Sequence, residues 1–214
     1  GENKKNIFIV GSPDVDMILG KDLPNLNEVK KRYEISFSNY AIGILHPITT
    51  NLNNLKKETK IFFNSLIKSG LNYILIYPNN DHGSDIILKE MSKFKSYKKF
   101  RIFPSIRFEY YLTLLKNSRF IIGNSSSGII EAPYYGVSTI NIGDRQKNRL
   151  KSKLIRSVNF IEKSILQSIK FSKDRKINKR KFFGDGKSAE KIIKLFLSSK
   201  IWNISNQKNF IDII

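Results

Sequence analysis

Phe120-Ile-Ile-Gly-Asn-Ser-Ser-Ser-Gly-Ile-Ile-Glu-Ala-Pro133 is an apolar run that passes through a glycine and three serines into a helical pattern. A strand, a small-residue turn and a helix start, in that order, place backbone N–H groups and hydroxyls at the carboxyl edge of a sheet, where phosphates bind. Further runs of the same kind lie on either side: Tyr40–Leu45, Tyr73–Tyr77, Arg101–Phe103, Arg119–Ile122, Ser138–Ile142 and Ser157–Ile161 read as strands. Between and after them, helical spacing is found over Leu52–Ser69, Ser84–Phe94, Phe108–Lys116, Ser126–Tyr135, Glu162–Phe171 and Lys187–Ser198. Alternating β and α segments with near-continuous apolar strands predict an α/β fold, a Rossmann-like parallel sheet with helices on both faces.

The chain has 214 residues, one domain's worth with appendages. At 40% hydrophobic and 12% aromatic residues it can bury a sizeable core, which excludes wholesale disorder. It has no cysteine, so disulfides, thiolate catalysis and thiolate-bound zinc are excluded. Two histidines, His46 and His82, leave little for a histidine-rich metal site, and neither a metal nor another cofactor is expected. The net charge of +20 invites a nucleic-acid reading. Lysine supplies 29 of the 38 basic residues, however, and heavy use of Lys, Ile and Asn also follows from an AT-rich codon supply. The densest positive region, 147–181, carries 13 Lys and Arg but only Phe160 and Phe171 as aromatics. That is no stacking platform, and nucleic acid is not the expected partner. No apolar run approaches the ~20 residues of a membrane span, and no signal-type stretch follows Gly1-Glu2-Asn3-Lys4-Lys5. The default compartment is the cytoplasm.

The first 35 residues break the alternation. Ile7–Val10 reads as a strand fragment without a β-α partner, and a turn-rich stretch and a short helix at Glu28–Tyr33 follow. Residues 1–35 are therefore expected to be the remnant of a preceding domain and its linker, and 36–200 the Rossmann-like domain. Residues 201–214, with Trp202, Phe210, Ile211, Ile213 and Ile214, are expected to form a tail packing on a neighbour or on the missing domain.

Candidate ligand residues are chosen by position. His46-Pro-Ile-Thr-Thr50, Pro78-Asn-Asn-Asp-His-Gly83 and Gly143-Asp-Arg-Gln146 each follow a predicted strand, where open α/β sheets bind ligands. Phe183-Gly-Asp-Gly186, in the turn before the last long helix, is grouped with them. His46 is favoured because it ends a buried strand, whereas His82 reads as a surface residue. Arg145 offers a donor fork for phosphate or carboxylate. Ser125 and Ser126 would hold a diphosphate, with Glu131 in reach of a sugar hydroxyl. The same serines also suit plain helix capping.

Taken together, His46-Pro-Ile-Thr-Thr50, Pro78-Asn79-X-Asp81-X-Gly83, Gly123-Asn-Ser-Ser-Ser-Gly128 with Glu131, Asn141-Ile-Gly-X-Arg-Gln146 and Gly184-Asp-Gly186 resemble the hydrolysing UDP-N-acetylglucosamine 2-epimerases of sialic-acid-type sugar biosynthesis. The resemblance covers residues 6–200. It implies the carboxyl-terminal, nucleotide-binding half of a two-domain, glycosyltransferase-B-like enzyme that is a homo-oligomer when complete. It further implies that Ser125 and Ser126 bind the diphosphate and Glu131 the ribose hydroxyls. Arg145 then assists the nucleotide, Asn79 and Ile106 border the uracil, and His46 is the catalytic histidine at the leaving diphosphate. In the family's reaction the C2 proton is removed, UDP is eliminated to a glycal, and water adds to give the 2-epimeric free sugar. The carboxylates for those proton transfers would belong to the other domain. Ser127 and Ile130 stand where related epimerases vary and do not fix the substrate. A glycosyltransferase of the same fold is the alternative, since a nucleotide-sugar site does not by itself fix the reaction.

Overall fold

The computed structural model describes residues 2–172, 178–207 and 211. Its helices in chain order are α1 (Pro13–Ile18), α2 (Leu26–Arg32), α3 (Leu55–Ser69), α4 (Ser84–Ser92), α5 (Phe108–Lys116), α6 (Ser127–Ile130), α7 (Ala132–Tyr135), α8 (Glu162–Ser172), α9 (Ser188–Phe196) and α10 (Ser199–Trp202). The strands are β1 (Ala41–Ile44), β2 (Tyr73–Ile76), β3 (Phe100–Phe103), β4 (Phe120–Gly123), β5 (Ser138–Ile142) and β6 (Ile155–Val158). All six lie in one sheet of order β3-β2-β1-β4-β5-β6, with every neighbouring pair parallel. The order reverses between β1 and β4, which makes the carboxyl ends of these two strands the switch point of the sheet.

The strands are short and apolar because both faces are covered. Every residue of β1, β4 and β5 is buried. Tyr73 and Leu75 of β2, Phe120 and Ile122 of β4, and Ile140 and Ile142 of β5 form a cluster with Phe62, Phe63 and Leu66 of α3, Ile87 and Met91 of α4, and Ile165 and Ile169 of α8. Strand residues alternate between faces, so Ile42, Ile74 and Ile121, all buried, point the other way. Among the other helices of the sheet-bearing part, α5 meets α2 and α7, and α6 and α7 lie against β5.

Three segments differ from expectation. Ser126–Tyr135 is two four-residue turns, α6 and α7, broken at Glu131. Pro133 has no N–H with which to continue a helix from α6. The last strand covers Ile155–Val158 instead of Ser157–Ile161, because β6 is an edge strand whose two central residues, Arg156 and Ser157, are exposed, so no continuous apolar signal marks it. Ile7–Val10 joins no sheet among the described residues, and Ile9 is 92% exposed.

The chain divides into two compact units, Asp22–Arg180, which contains the sheet, and Gly1–Lys21 with Lys181–Ile214. The sequence-based limits of 36 and 200 thus differ from the unit limits at both ends. In the smaller unit, Asp16 accepts hydrogen bonds from the backbone N–H groups of Ser188 (2.9 Å) and Ala189 (2.8 Å), so a side chain of α1 caps α9. These two bonds hold the Asp16 carboxyl below the usual range. Phe183 accepts from Ser12 N–H at 2.8 Å, and Gly184 packs against Gly11. Phe183-Gly-Asp-Gly186 therefore follows no strand of the sheet and does not belong with the strand-end motifs. Its glycines allow backbone-to-backbone contact inside the smaller unit. Of the apolar tail, Trp202 is exposed and Ile211 is 41% exposed, while Phe210, Ile213 and Ile214 lie outside the described residues.

Candidate functional site

The site is built where β1 and β4 part. Gly123 ends β4 with φ +134°, and a Cβ there would lie 1.8 Å from the Ile44 carbonyl oxygen. Only glycine lets the chain turn this close to β1. The next residue, Asn124, is fully buried. Its Oδ1 accepts from His46 N–H at 2.7 Å and its Nδ2 donates to the His46 carbonyl at 2.8 Å. Its own carbonyl accepts from Arg145 Nη1 (3.3 Å) and Gln146 Nε2 (3.0 Å), both in the loop after β5. Asn124 thus ties together the ends of β1, β4 and β5.

His46 is held from a fourth side by the loop after β2. Asn79 N–H donates to His46 Nδ1 at 3.0 Å, and Asn79 Nδ2 donates to Asp81 Oδ2. Asp81 in turn lies 3.8 Å from Arg145 Nη2. Burial pushes the His46 imidazole down to about 4, and the Arg145 guanidinium adds to this while Asp81 opposes it. The ring is therefore neutral near pH 7. With Nδ1 accepting, the proton sits on Nε2. Beside this cluster a cleft of about 370 Å³ is lined by Pro47–Thr50, Asp81, Asp144 and Arg145.

The serines follow directly. Ser125 Oγ accepts from Ser127 N–H at 3.3 Å, a local turn bond, whereas Ser126 makes no side-chain cap bond to α6. Capping thus accounts for Ser125 and leaves the Ser126 hydroxyl uncommitted to it. Ser127 is bonded to the buried Tyr111 hydroxyl. Glu131 is not inside a helix but at the break between α6 and α7, where its charge, after burial, raises the Tyr135 phenol further. Gly128 must be glycine because a Cβ would lie 2.5 Å from Thr139 Cγ2.

Of the residues singled out in the sequence, His46, Asn79 and Arg145 are brought into one hydrogen-bonded cluster, with Ser125 and Ser126 following its hub, Asn124, in the chain. Glu131 lies one short turn further along. Ile106 stands apart, in the loop between β3 and α5, and β3 is an edge strand two places from β1. His82 is exposed, as expected. Asn124, Asp81 and Gln146 sit inside the quoted motifs, but sequence reasoning gave them no role. For Asn124 the available signal was a polar residue directly after a four-residue apolar strand; Asp81 and Gln146 lie further into their loops and carry no such mark. Among the described residues no cluster of metal-binding side chains occurs, and no helix is long and apolar enough to cross a membrane.

A six-stranded parallel sheet of this order defines a Rossmann-type domain, and its polar cluster lies at the β1/β4 switch point, where open α/β sheets bind ligands. Residues 1–197 match the model of the UDP-N-acetylglucosamine 2-epimerase family, and the chain belongs to that family. It is 43% identical, over its whole length, to the UDP-N-acetylglucosamine 2-epimerase of Neisseria meningitidis serogroup B, covering 57% of that protein. It is 32% identical to the GDP/UDP-N,N'-diacetylbacillosamine 2-epimerase (hydrolyzing) of Campylobacter jejuni, again over its whole length and 57% of the relative. The Methanocaldococcus jannaschii UDP-GlcNAc 2-epimerase, solved with UDP-GlcNAc and UDP, shares the fold at TM-score 0.73 and 22% identity, over 91% of this chain and 56% of that one. The chain thus spans little more than half the length of the relatives it matches.

Proposed function

We propose that this chain is the UDP-binding half of a hydrolysing 2-epimerase acting on UDP-N-acetylglucosamine or a 2,4-diacetamido-trideoxy analogue. The observation that carries the reading is the cluster of His46, Asn79 and Arg145 around Asn124 at the switch point, with Ser125 and Ser126 next to it in the chain. Family membership and the Campylobacter relative's hydrolysing activity support it. In this reading Ser125, Ser126 and Arg145 hold the diphosphate, Glu131 the ribose hydroxyls, and Asn79 with Ile106 the uracil. The neutral His46 donates its Nε2–H to the leaving diphosphate, whose negative charge raises the imidazole's proton affinity as it approaches. Elimination takes the C2 proton and breaks the bond from C1 to the diphosphate oxygen. Water then adds at C1 and a proton returns to C2 on the opposite face, giving N-acetylmannosamine and UDP in the acetylglucosamine case. The acid–base carboxylates come from a second domain of the same protein, and the complete enzyme is a homo-oligomer that needs no metal or other cofactor.

Calorimetric titration of the 214-residue chain tests this reading. UDP should bind, and more tightly than UMP, because the serines and Arg145 address the second phosphate. Equal affinities, or no binding, would remove the diphosphate site from this place.

A further inference from the structure

The parallel ladder between β1 and β4 ends at Ile44 and Gly123. Beyond that rung the positive φ of Gly123 swings the β4 backbone away, yet His46, two residues past the end of β1, still has both its N–H and its carbonyl bonded. Both bonds go to one side chain, the Asn124 carboxamide, at 2.7 and 2.8 Å. The amide stands in for a strand, offering one acceptor and one donor side by side. Among side chains of this length only asparagine does so, because aspartate lacks the donor and serine cannot span both groups. Asn124 is itself fixed by its N–H to the Ile44 carbonyl at 3.1 Å.

Resting on the reading of this cleft as a UDP-sugar site, we infer that Asn124 is the positioning residue of the site. Its side chain extends the β1–β4 pairing to set His46, while its carbonyl holds Arg145 and Gln146. Arg145 and Asp81 are the charged groups bearing on the imidazole, and one of them is tied to Asn124 directly. A buried node bonded through both ends of its carboxamide and through both of its backbone groups fixes a separation more sharply than a loop anchored only at its ends. The histidine and the arginine therefore approach a diphosphate already spaced, without an ordering cost on binding.

The test is Asn124→Asp, nearly isosteric, which removes the donor and places a carboxylate beneath His46. Nitrogen-15 NMR follows the two histidines, with exposed His82 as internal reference. The His46 ring should change its tautomer balance and titrate at higher pH than in the wild type, while His82 stays put. UDP affinity should fall about tenfold, as for one hydrogen bond to a charged partner. On a His46→Ala background the same substitution should cost little more, since its effect passes through that residue. Unchanged His46 signals, or additive losses in the double variant, would overturn the inference. If Asn124→Asp does not fold, amide hydrogen exchange in the wild type decides. The His46 N–H, beyond the last rung of the ladder, should be as protected as that of Ile44, and rapid exchange would refute the clamp. Failure of the wild type to bind UDP would sink the functional reading, whereas the tautomer and exchange measurements need no ligand and still judge Asn124.

Discussion

The backbone N–H of Asn79 donates to Nδ1 of His46 at 3.0 Å, so the loop after β2 fixes which nitrogen of the histidine carries the proton. That bond would be lost on protonation, because both ring nitrogens of an imidazolium are donors. Burial, and after it the Arg145 guanidinium, holds the ring's affinity for a proton down to about 4, against an ordinary value of 6.5, with Asp81 and the Asn79 side chain opposing.

A stability prediction follows from the sign of that shift. In the unfolded chain His46 takes up its proton as pH falls through about 6.5, whereas in the folded chain it does so only near 4. The unfolded state thus binds more protons between these values. Stability should be full above pH 6.5 and be lost progressively down to pH 4. His46→Gln, which cannot titrate, should lose less of its melting temperature over the same window. Parallel curves for the two proteins would show that the imidazole is not buried as described.

Gly123→Ala should be among the most damaging single substitutions in the sheet. The added methyl would lie 1.8 Å from the Ile44 carbonyl oxygen, in a backbone region that L side chains rarely adopt. Clash and strain together should exceed ~4 kcal/mol, measured as loss of soluble folded protein or of cooperative urea unfolding. A variant within 1 kcal/mol of the wild type, on the scale of ordinary surface changes at roughly 0.5 kcal/mol, would mean that β4 does not turn here.

Removing both Ser125 and Ser126 hydroxyls by alanine substitution should weaken UDP at least about tenfold, from two hydrogen bonds worth roughly 0.5–3 kcal/mol each. Ser125 already accepts from Ser127 N–H, so part of its effect should appear as stability. The Ser126 share should appear in binding. A loss confined to melting temperature would leave both serines with a local structural role only.

Glu131→Ala should narrow the affinity gap between UDP and dUDP, since two carboxylate oxygens suit two ribose hydroxyls. Competition binding of the two nucleotides by wild type and variant measures it directly. An unaltered preference would move ribose recognition to another side chain.

The sheet was legible in the sequence because its middle strands β1, β2 and β4 are buried apolar runs bounded by turn residues, and α5 matched at both ends, Phe108 and Lys116. Where an apolar signal and burial part company, the reading slipped. Ile161, 55% exposed, carries the apolar pattern past the end of β6, and Ile7–Val10 is apolar yet joins no sheet among the described residues. The residues of the site were visible as polar groups at strand ends. Their connection was not, because nothing in a linear sequence reports that the Asn124 side chain pairs with a backbone 78 positions earlier. Phe183-Gly-Asp-Gly186 shows the limit of a glycine-rich pattern before a helix, which serves phosphates and tight backbone packing alike.

The 214-residue chain by itself should show no epimerase activity. The proposed reaction needs a base to take the C2 proton and an acid to return it on the other face, each worth ~10²–10⁴ in rate. Among the described residues, the carboxylates that line the cleft beside His46 are Asp81, engaged by Asn79 and near Arg145, and Asp144. Both lie on the diphosphate side in the proposed mode of binding, so neither is placed to serve both faces of the sugar. A cleft open to water also forgoes the positioning that a second wall would supply. Incubation with UDP-N-acetylglucosamine, followed by chromatography for UDP and free sugar, should therefore give no product above a protein-free control. Adding the remainder of the enzyme as a separate polypeptide should restore turnover, and His46→Ala should then cut that turnover far more than it weakens UDP. Release of UDP by the purified chain, at a rate tracking its concentration, would place the acid–base pair within this sequence, with Asp81 and Asp144 the first carboxylates to replace.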